Sequence, residues 1–489
     1  MRVAIANAAR AALLVGPTVL AFFAGGYFDA PRIWAGLGAW VLVGAAMLVC
    51  PRPLPRARAP NVALIALGLL AAWTLISFTW APLAGSAYHA GQRVVLYAGA
   101  LLAATALLRP RGAQRAVEPA LAAGATVVIG YGLAGRLLPG LLHFARSVSA
   151  QGRLEQPLTY WNAMGEVAAL GLVLAIALAG DRTRPRGLRA AAAGATAPLG
   201  MGLYLTFSRG ALFACAAGLV TLIVVAPRRA QLRALVLSIC AGALGVLAAA
   251  PFSGVTGLAG APATRERQGA ITLALLALVV AGTVLAQWRL QRREADEELG
   301  LPRRAPQIAL AVICAGLALA VVAGAKESSG GTLAPGATRY TSLQSSRYAY
   351  WRVALRAFGD EPLRGVGAGG WAVYWLRYRP FNEGAQDAHS LPLQTAAELG
   401  LVGVVLLLAF LGGVAVSART AHRVVPSLAA GPIAGVVTWV AHSPLDWDWE
   451  MPAVTLIALV LAGLLLALSE EHLQLGTAFT DPGADVQSP

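Results

Sequence analysis

The sequence predicts an all-α integral membrane protein, a polytopic bundle of about 14 transmembrane helices with a large extracytoplasmic loop that contains short amphipathic helices. Of the 489 residues, 57% are hydrophobic and only 12% are charged, and the mean hydropathy is +0.65. Soluble domains carry roughly 25% charged residues. Apolar runs long enough to cross a hydrocarbon core recur along the chain, separated by short connections rich in Arg, Pro and Gly. A single long polar stretch, 326–392, interrupts this pattern.

The predicted spans divide the chain into four parts. Residues 1–325 hold transmembrane helices 1–11, residues 326–392 form the large loop, residues 393–468 hold helices 12–14, and residues 469–489 form an acidic, polar tail expected to be disordered in the cytoplasm. The basic start and apolar run of residues 1–24 resemble a signal peptide, but no small-residue cleavage site follows, so we expect an uncleaved first span. The predicted span centres lie near residues 18, 41, 70, 100, 127, 171, 197, 218, 242, 278, 316, 404, 435 and 460.

The basic residues predict the orientation of the bundle, because Lys and Arg concentrate in cytoplasmic loops. Alternate connections, together with Arg2 and Arg10, hold 22 of the 38 cations. These connections are 52–58, 109–115, 181–189, 227–233, 288–304 and 419–423. Both termini are therefore predicted in the cytoplasm and the large loop outside, with the polar stretches 88–93, 136–162, 207–210 and 442–451. The active face of this multi-pass protein of the cytoplasmic membrane is then extracytoplasmic, and the net charge of +15 calls for no nucleic-acid partner.

Helical periodicity predicts two short helices inside the large loop. The first runs over residues 347–358 and ends before Pro362. Its large apolar residues share one face: Tyr348, Trp351, Leu355 and Phe358. The second runs over residues 371–378, where four aromatic residues repeat at helical spacing. That aromatic stripe suits either the membrane interface or packing onto the bundle.

The four cysteines give no sign of a metal site or a disulfide framework. They lie within or at the end of apolar spans and have no CxxC spacing. We expect them to be small core residues. The segment GVGAGG, 365–370, matches GxGxxG but follows no predicted strand, so we interpret it as a turn and not as a dinucleotide site.

His389 is the candidate base. It lies in the polar segment QDAHS, immediately before an apolar span that begins near Leu391. Imidazole is the side chain suited to accept a proton near neutral pH. A lone histidine is more often structural, and three other histidines are predicted on the same side, so location alone does not select His389.

Three arginines on the predicted outer side are candidates for binding an anion. Arg209 lies between two spans with almost no loop, a costly position for a cation without an anionic partner. Arg153 precedes the entrance to the next span, and Arg347 opens the first loop helix. Guanidinium groups bind phosphate in a bidentate manner and keep their charge, so three of them would make a diphosphate clamp. For each one singly, an ion-paired or snorkelling residue is the favoured interpretation. Three of them beside one histidine shift the balance towards the clamp.

Four segments together resemble the O-antigen ligase and O-antigen polymerase superfamily of polytopic bacterial membrane glycosyltransferases. They are RLEQPLTYWNAMGEVAAL (153–170), TFSRGAL (206–212), SSRYAYWRVALRAFGDEPLRGVGAGGW (345–371) and AHSLPLQTAAELGLVG (388–403). Their order and spacing agree with that family, and the likeness extends over about residues 60–465. One departure is Ser390, where the family usually has Asn after the histidine.

The resemblance implies transfer of a glycan from an undecaprenyl-diphosphate-linked donor to an acceptor hydroxyl, without a metal ion or other cofactor. It implies that Arg209 and Arg347 hold the donor diphosphate, that Arg153 lines the same pocket, and that His389 activates the acceptor. It also points to Asn162 and Glu398 as acceptor-binding or supporting residues. The acceptor could be a lipid, a polysaccharide or a protein, in a bilayer whose lipids surround the bundle.

The segment HSPLDWDWEMP, 442–452, lies on the same predicted side. Its carboxylates, including Asp446 and Asp448, could pair with the arginines or contact acceptor sugars, and its tryptophans could stack on sugar rings. An anchor loop at the membrane interface is an equally good interpretation. No spacing of His and Asp here is diagnostic of a metal site.

Two other classes of function stay open from the sequence. A multi-span transporter or flippase of lipid-linked oligosaccharide would also need many spans and diphosphate-binding arginines, but would place its charges along a central cavity at mid-membrane depth. A structural scaffold would leave the grouping of Arg and His unexplained. Among transferases, the residues do not separate a ligase from a polymerase or from a protein glycosyltransferase.

Overall fold

The structure, a computed structural model, describes residues 1–145, 147–293, 297–325, 336, 340 and 345–470. In these residues the regular secondary structure is helical, apart from an isolated β-bridge between Arg228 and Glu298. The helices are α1 (Arg2–Ala21), α2 (Asp29–Val49), α3 (Arg58–Ile76), α4 (Ala84–Leu107), α5 (Arg111–Leu137), α6 (Trp161–Gly180), α7 (Arg186–Leu205), α8 (Arg209–Val225), α9 (Arg229–Ala249), α10 (Ser253–Thr256), α11 (Pro262–Leu290), α12 (Ala305–Ala325), α13 (Arg347–Asp360), α14 (Gly370–Tyr378), α15 (Leu391–Val424), α16 (Pro426–His442) and α17 (Pro452–Ser469).

Every predicted span centre falls within one of these helices. Ten helices in the described part of the chain are long and apolar enough to cross a membrane: α1–α6, α9, α11, α15 and α17. Helix α8 and the segment Ala305–Leu319 of α12 are apolar but shorter. The protein is thus a multi-pass, all-helical membrane protein, and the count of about 14 spans stays a prediction.

Two helices, α6 and α17, form the centre of the bundle. Both are buried along their whole length by the surrounding helices. Apart from Asn162 and Glu166 in the first two turns of α6, their sequences are predominantly apolar on every side, as is typical of a helix enclosed by others. Small residues let neighbouring helices approach closely, as they do in membrane bundles generally. At the crossing of α7 and α9, a Cβ built on Gly200 would lie only 2.7 Å from the Cα of Gly242.

The connections that the charge pattern predicts on the outer side meet at one end of the bundle. The N–H of Leu154 donates to the carbonyl of Leu205 at 2.9 Å, and the N–H of Leu391 donates to the carbonyl of Ser443 at 2.9 Å. We call this the loop-rich end; it comprises 22–28, 77–83, 138–160, 206–208, 250–261, the described residues between α12 and α15, and 443–451.

The connections predicted on the cytoplasmic side meet at the opposite end. Glu470 accepts hydrogen bonds from the N–H groups of Arg56 and Ala57, at 2.8 and 2.7 Å. The side chain of Arg115 donates to the carbonyl of Thr183 at 2.5 Å. Each set of connections therefore lies at its own end of the bundle, as predicted. Which side of the membrane each end faces stays a prediction.

Helices α13 and α14 lie where the sequence predicts them, but the buried face of α13 differs. Leu355, predicted on the apolar face, is 55% exposed. The buried residues are instead mostly small: Ala349, Tyr350, Trp351, Val353, Ala354 and Ala357. Small side chains on the buried face let α13 pack closely on α15. In α14, Trp371 and Trp375 are fully buried and stacked, with ring centroids 5.7 Å apart, so half of its aromatic stripe packs onto the bundle.

Three further predictions can be compared with the structure. The polar stretch 88–93 is not a connection, because α4 runs through it. Of the four cysteines Cys215 is buried, but Cys240 and Cys314 are exposed on the outside of the bundle, so they are not core residues. The predicted disordered tail, 469–489, begins too early, because Ser469 ends α17 and Glu470 is buried. Residues 471–489 of the tail and residues 326–335, 337–339 and 341–344 of the large loop lie outside the described residues.

Candidate active site

The loop-rich end holds all the strained non-glycine backbone found in the described residues. Residues with φ between +49° and +63° are Ala24, Gln151, Thr159, Phe207, Leu258 and His389. A side chain in this left-handed region costs of order 1–3 kcal/mol and concentrates at functional sites. Three of the six lie at or within two residues of Arg153, Arg209 and His389, the residues that the sequence selects.

The backbone around His389 fixes which ring nitrogen is available. Nδ1 lies 2.9 Å from the carbonyl oxygen of Asp387. A carbonyl only accepts, so Nδ1 donates, and in the neutral ring Nε2 carries the free lone pair. Burial lowers the pKa of His389 below 6.5, and the charge of Asp446 opposes that shift. The imidazole is therefore neutral at pH 7 and presents Nε2 as a proton acceptor.

Aromatic rings hold the imidazole in place. His389 stacks on Trp447 with ring centroids 4.8 Å apart and planes 12° from parallel. Tyr350 of α13 lies 5.3 Å from the imidazole. Trp447 in turn packs edge-on against Tyr160, at 4.9 Å. The rings join three connections of the loop-rich end, so the position of His389 depends on all of them.

Arg347 and Asp446 form the polar centre of the site. The guanidinium is paired with the carboxylate, whose side chain is 1% exposed against 23% for Arg347. Asp446 also accepts from the hydroxyl of Tyr160 at 2.7 Å, and that hydroxyl accepts from the amide of Asn162 at 2.7 Å. Burial raises the pKa of Asp446, but Arg347 and then the neighbouring imidazoles lower it more, so the carboxyl stays ionised. Asn162 thus supports Arg347 through two intermediates.

Arg153 lies beside this centre and is held without a carboxylate. Its Nε and Nη2 donate to the carbonyls of Ala150 and Ser149, at 2.9 and 3.2 Å. Its guanidinium carbon lies 4.0 Å from the ring centroid of Trp161. Nη1 is buried and has no partner among the described residues. Burial lowers the pKa of Arg153 to about 10, and the charge of Arg347 acts in the same direction.

Arg209 is the first residue of α8. Ser208 caps this helix by accepting from the N–H of Ala211 at 3.3 Å. Tyr348 lies near the guanidinium groups of both Arg209 and Arg347. Burial raises the pKa of Tyr348, while the charges of Arg209 and then Arg347 lower it. The three arginines and His389 are therefore grouped at one end of the bundle.

Asp448 belongs to a separate buried cluster and not to the arginines. Its carboxylate lies 2.7 Å from Nδ1 of His442, the last residue of α16. Glu166 of α6 lies 3.7 Å from the same nitrogen, and all three side chains are almost completely buried. This cluster fixes the 443–451 connection against α6 and α16, and thereby the position of Asp446.

Glu398 holds the glycine-rich turn of the large loop against α15. Its carboxylate accepts from the N–H of Trp371 at 3.3 Å, near the start of α14. Its carbonyl accepts from the N–H of Gly367 at 2.9 Å. The turn 365–370 docks here against α15, where Gly400 interrupts the helix with φ +63°. The glycine-rich segment is thus the turn that the sequence predicts, and Glu398 anchors it.

Sequence reasoning missed several residues of this site. Tyr160 and Trp161 immediately precede Asn162, so their signal was adjacency to a selected residue. Trp447 was selected with the other tryptophan of 442–452, but as a residue that could stack on a sugar ring. The tryptophans of 442–452 contact protein rings: Trp447 contacts His389, and Trp449 packs on Tyr97 at 4.8 Å. No sequence pattern predicted the ion pair between Arg93 and Glu450, because the two residues are far apart in the chain.

Residues 252–408, about a third of the chain, match a family model described as O-antigen ligase. The matched segment contains Arg347, His389 and Glu398 and ends before Asp446. A comparison with curated proteins found no match. The family match confirms the resemblance to the O-antigen ligase and polymerase superfamily, and it supports glycan transfer of the O-antigen ligase type, in surface polysaccharide synthesis, by a multi-pass membrane protein.

Proposed function

We propose that this protein transfers a glycan from an undecaprenyl-diphosphate-linked donor to an acceptor hydroxyl at the outer face of the cytoplasmic membrane. In this proposal His389 is the general base, and Arg209, Arg347 and Arg153 bind the donor diphosphate. The loop-rich end is the active face. Lipids, polysaccharides and proteins are all possible classes of acceptor.

The observation that carries the proposal is the grouping of a neutral, rigidly held imidazole with three arginines. Two of these arginines, Arg347 and Arg153, are not fully compensated by carboxylates. Arg347 has Asp446 as an ion-pair partner but keeps further donors on its guanidinium. Arg153 keeps one buried donor without a partner among the described residues. A diphosphate carries several acceptor oxygens and fits such a group of fixed cations.

The reaction follows from these positions. The acceptor oxygen attacks the anomeric carbon of the donor sugar, and its proton passes to Nε2 of His389. The bond between the anomeric carbon and the diphosphate oxygen breaks, and undecaprenyl diphosphate leaves with the bonding electron pair. Preorganised guanidinium groups stabilise the charge that develops on the leaving diphosphate. This mechanism needs no metal ion.

Trp447 and Asp446 have positioning roles in this mechanism. Stacking on Trp447 and the hydrogen bond to Asp387 hold the imidazole in one orientation, so that Nε2 faces the acceptor. Asp446 holds Arg347 through the ion pair, and Tyr160 holds Asp446. Fixed groups of this kind contribute because they need no reorganisation during the reaction.

The test is a transfer assay with the full-length protein in nanodiscs, an undecaprenyl-diphosphate-linked oligosaccharide, and candidate acceptors. Glycosylated acceptor and released undecaprenyl diphosphate are both quantified. His389→Ala should lose about 10² to 10⁴-fold in rate and still bind the donor, because general-base catalysis typically contributes that factor. The matched control is His89→Ala: His89 lies in α4 beside Arg32, at 3.2 Å, and should transfer at the wild-type rate.

Three outcomes would contradict the proposal. Transfer by His389→Ala at the wild-type rate would exclude the base. Loss of wild-type activity on treatment with EDTA would exclude the metal-free mechanism. Movement of intact donor across a bilayer without transfer would favour the transporter or flippase.

A further inference from the structure

A polar cavity lies at the loop-rich end. It shares Arg153 with the proposed diphosphate site, and the mechanism above does not use its other residues. Its volume is about 240 Å³, and it lies between the end of α5, the 138–160 connection and the start of α11. Its size is below the roughly 300–1,000 Å³ of pockets for drug-sized ligands, so it suits one ring and not a chain. The residues on its walls include Phe144, Arg153, Glu155, Leu258, Arg265 and Glu266.

The walls present donors that the protein itself does not satisfy. Arg153 is 5% exposed, and its buried Nη1 has no partner within the described chain. The buried Nε of Arg265 likewise has none there. A buried donor left unpaired costs about 1–3 kcal/mol, and more when it is charged. Two of them on one cavity point to a ligand that supplies acceptor oxygens.

Two carboxylates line the same cavity, Glu155 and the exposed Glu266, and neither pairs with these two donors. Glu155 accepts from the N–H of Ser147 at 2.8 Å and also from its hydroxyl, so each carboxylate oxygen has a donor from Ser147. Nearby, the guanidinium of Arg136 donates to the backbone carbonyls of Val255, Thr256 and Gly152, the last at 2.6 Å. The unpaired donors of Arg153 and Arg265 therefore favour an anionic ligand.

The rest of the wall suits a sugar ring. Phe144 lines the cavity and is held by stacking on Tyr131, with centroids 4.6 Å apart. Leu258, also on the wall, has φ +58°, a strained conformation for a leucine. An aromatic face combined with polar and charged groups provides both the apolar and the hydrogen-bonding contacts that a sugar offers.

Arg153 connects this cavity to the proposed diphosphate site. It stacks on Trp161, whose neighbour Tyr160 contacts Asp446, the partner of Arg347. A ligand in the cavity therefore lies beside the diphosphate-binding arginines, where the glycan attached to that diphosphate begins.

We propose that this cavity is a subsite for one acidic sugar unit of the glycan substrate, a ring that bears a carboxylate, bound by Arg153 and Arg265. The proposal rests on the proposed function for the identity of the substrate as a glycan. The subsite would make transfer selective for glycans with an acidic sugar close to the diphosphate.

The test is a ligand-observed NMR titration of the full-length protein in nanodiscs with two soluble probes, methyl glucuronide and methyl glucoside. The glucuronide should bind, and the glucoside should bind at least about tenfold more weakly, because hydrogen bonds to charged groups contribute about 1.5–3 kcal/mol. Arg265→Gln should weaken glucuronide binding by about tenfold or more. The matched control is Arg267→Gln, two residues along α11, exposed and not on the cavity wall, which should bind like the wild type.

Several outcomes would overturn the subsite. They are no glucuronide binding by the wild type, equal binding of both probes, and equal loss in Arg265→Gln and Arg267→Gln. Thermal unfolding of each variant shows whether it is folded, and Arg265→Lys, which keeps the charge, should retain more glucuronide binding than Arg265→Gln. Probe binding and transfer are measured separately. Transfer without glucuronide binding removes only the subsite, and glucuronide binding without transfer of any supplied donor removes only the proposed function.

Discussion

Arg184 at the opposite end of the bundle is held differently from Arg347 and Arg153 at the loop-rich end. At the opposite end, Arg184 is paired with both Glu118 and Asp181, and its side chain is 2% exposed. At the loop-rich end, Arg347 has one carboxylate partner, and its side chain is 23% exposed. Arg153 has hydrogen bonds to carbonyls and contact with an aromatic ring.

This difference separates structural cations from cations that can bind a ligand. A buried guanidinium with two carboxylates is fully compensated and serves to join α5 to the 181–185 connection. A guanidinium with one carboxylate or none keeps positive charge and donors, which an external anion can meet. The loop-rich end also carries the strained backbone of the described residues.

The largest expected difference between the two ends is in access from outside the cell. Gly384, in the large loop, and Gly187, at the start of α7, are both exposed, and a Cβ at either would meet no atom within 4 Å. In a background without the four native cysteines, Gly384→Cys should label with an impermeant maleimide on intact cells. Gly187→Cys should label only after permeabilisation. The reverse pattern would discard the topology and, with it, the outer active face.

The next largest effect concerns the arginines themselves. Arg347→Lys and Arg209→Lys should each lose about 10² to 10³-fold in transfer, because a point charge cannot reproduce the bidentate fork and its oriented donors. The rate is measured with the assay described for His389. Donor binding should weaken in parallel.

Arg184→Lys is the matched control for these variants. It should lower thermal stability, because it breaks a buried pair, and should leave transfer close to the wild-type rate in the protein that remains folded. Near-normal transfer by both Arg347→Lys and Arg209→Lys would assign them the structural role that Arg184 has. Loss of transfer in all three variants would remove the distinction between the ends.

Much of the fold follows from the sequence alone, because each helix is specified by its own run of apolar residues and the connections beside it. Apolar runs and alternate Arg-rich connections report on each helix separately, so every predicted span centre falls in a helix. Helix periodicity also places α13 and α14. It fails for the face of α13, because burial there depends on the space that α15 leaves, and small residues such as Ala354 and Ala357 fill that space.

The candidate site, too, could be predicted only in part from the sequence. The sequence selects residues by chemistry and motif, which suffices for His389, Arg153, Arg209 and Arg347 to be found at one end. It does not predict the pairing of Asp448 with His442, or the stacking of Trp447 on His389, because these contacts arise from how separate connections meet. Nor does it distinguish Glu398 as an anchor of the 365–370 turn.

The smallest expected effect is a change in pH dependence that only the loop-rich end should show. His389 acts as a base only when neutral, so acidification through its pKa should reduce kcat/KM for transfer. Burial lowers that pKa below 6.5, so the acidic limb should lie below 6.5.

Asp446 gives the sharper form of this test. Its negative charge raises the pKa of His389, so Asp446→Asn should move the acidic limb to lower pH while the plateau rate falls, because Arg347 loses its partner. Asp181→Asn, which changes a carboxylate beside Arg184 at the opposite end, should leave the limb where it is. The measurement is the full pH profile of kcat/KM for the three proteins. A limb above 6.5 in the wild type, or one that stays in place or moves upward in Asp446→Asn, would mean that a group other than His389 accepts the proton.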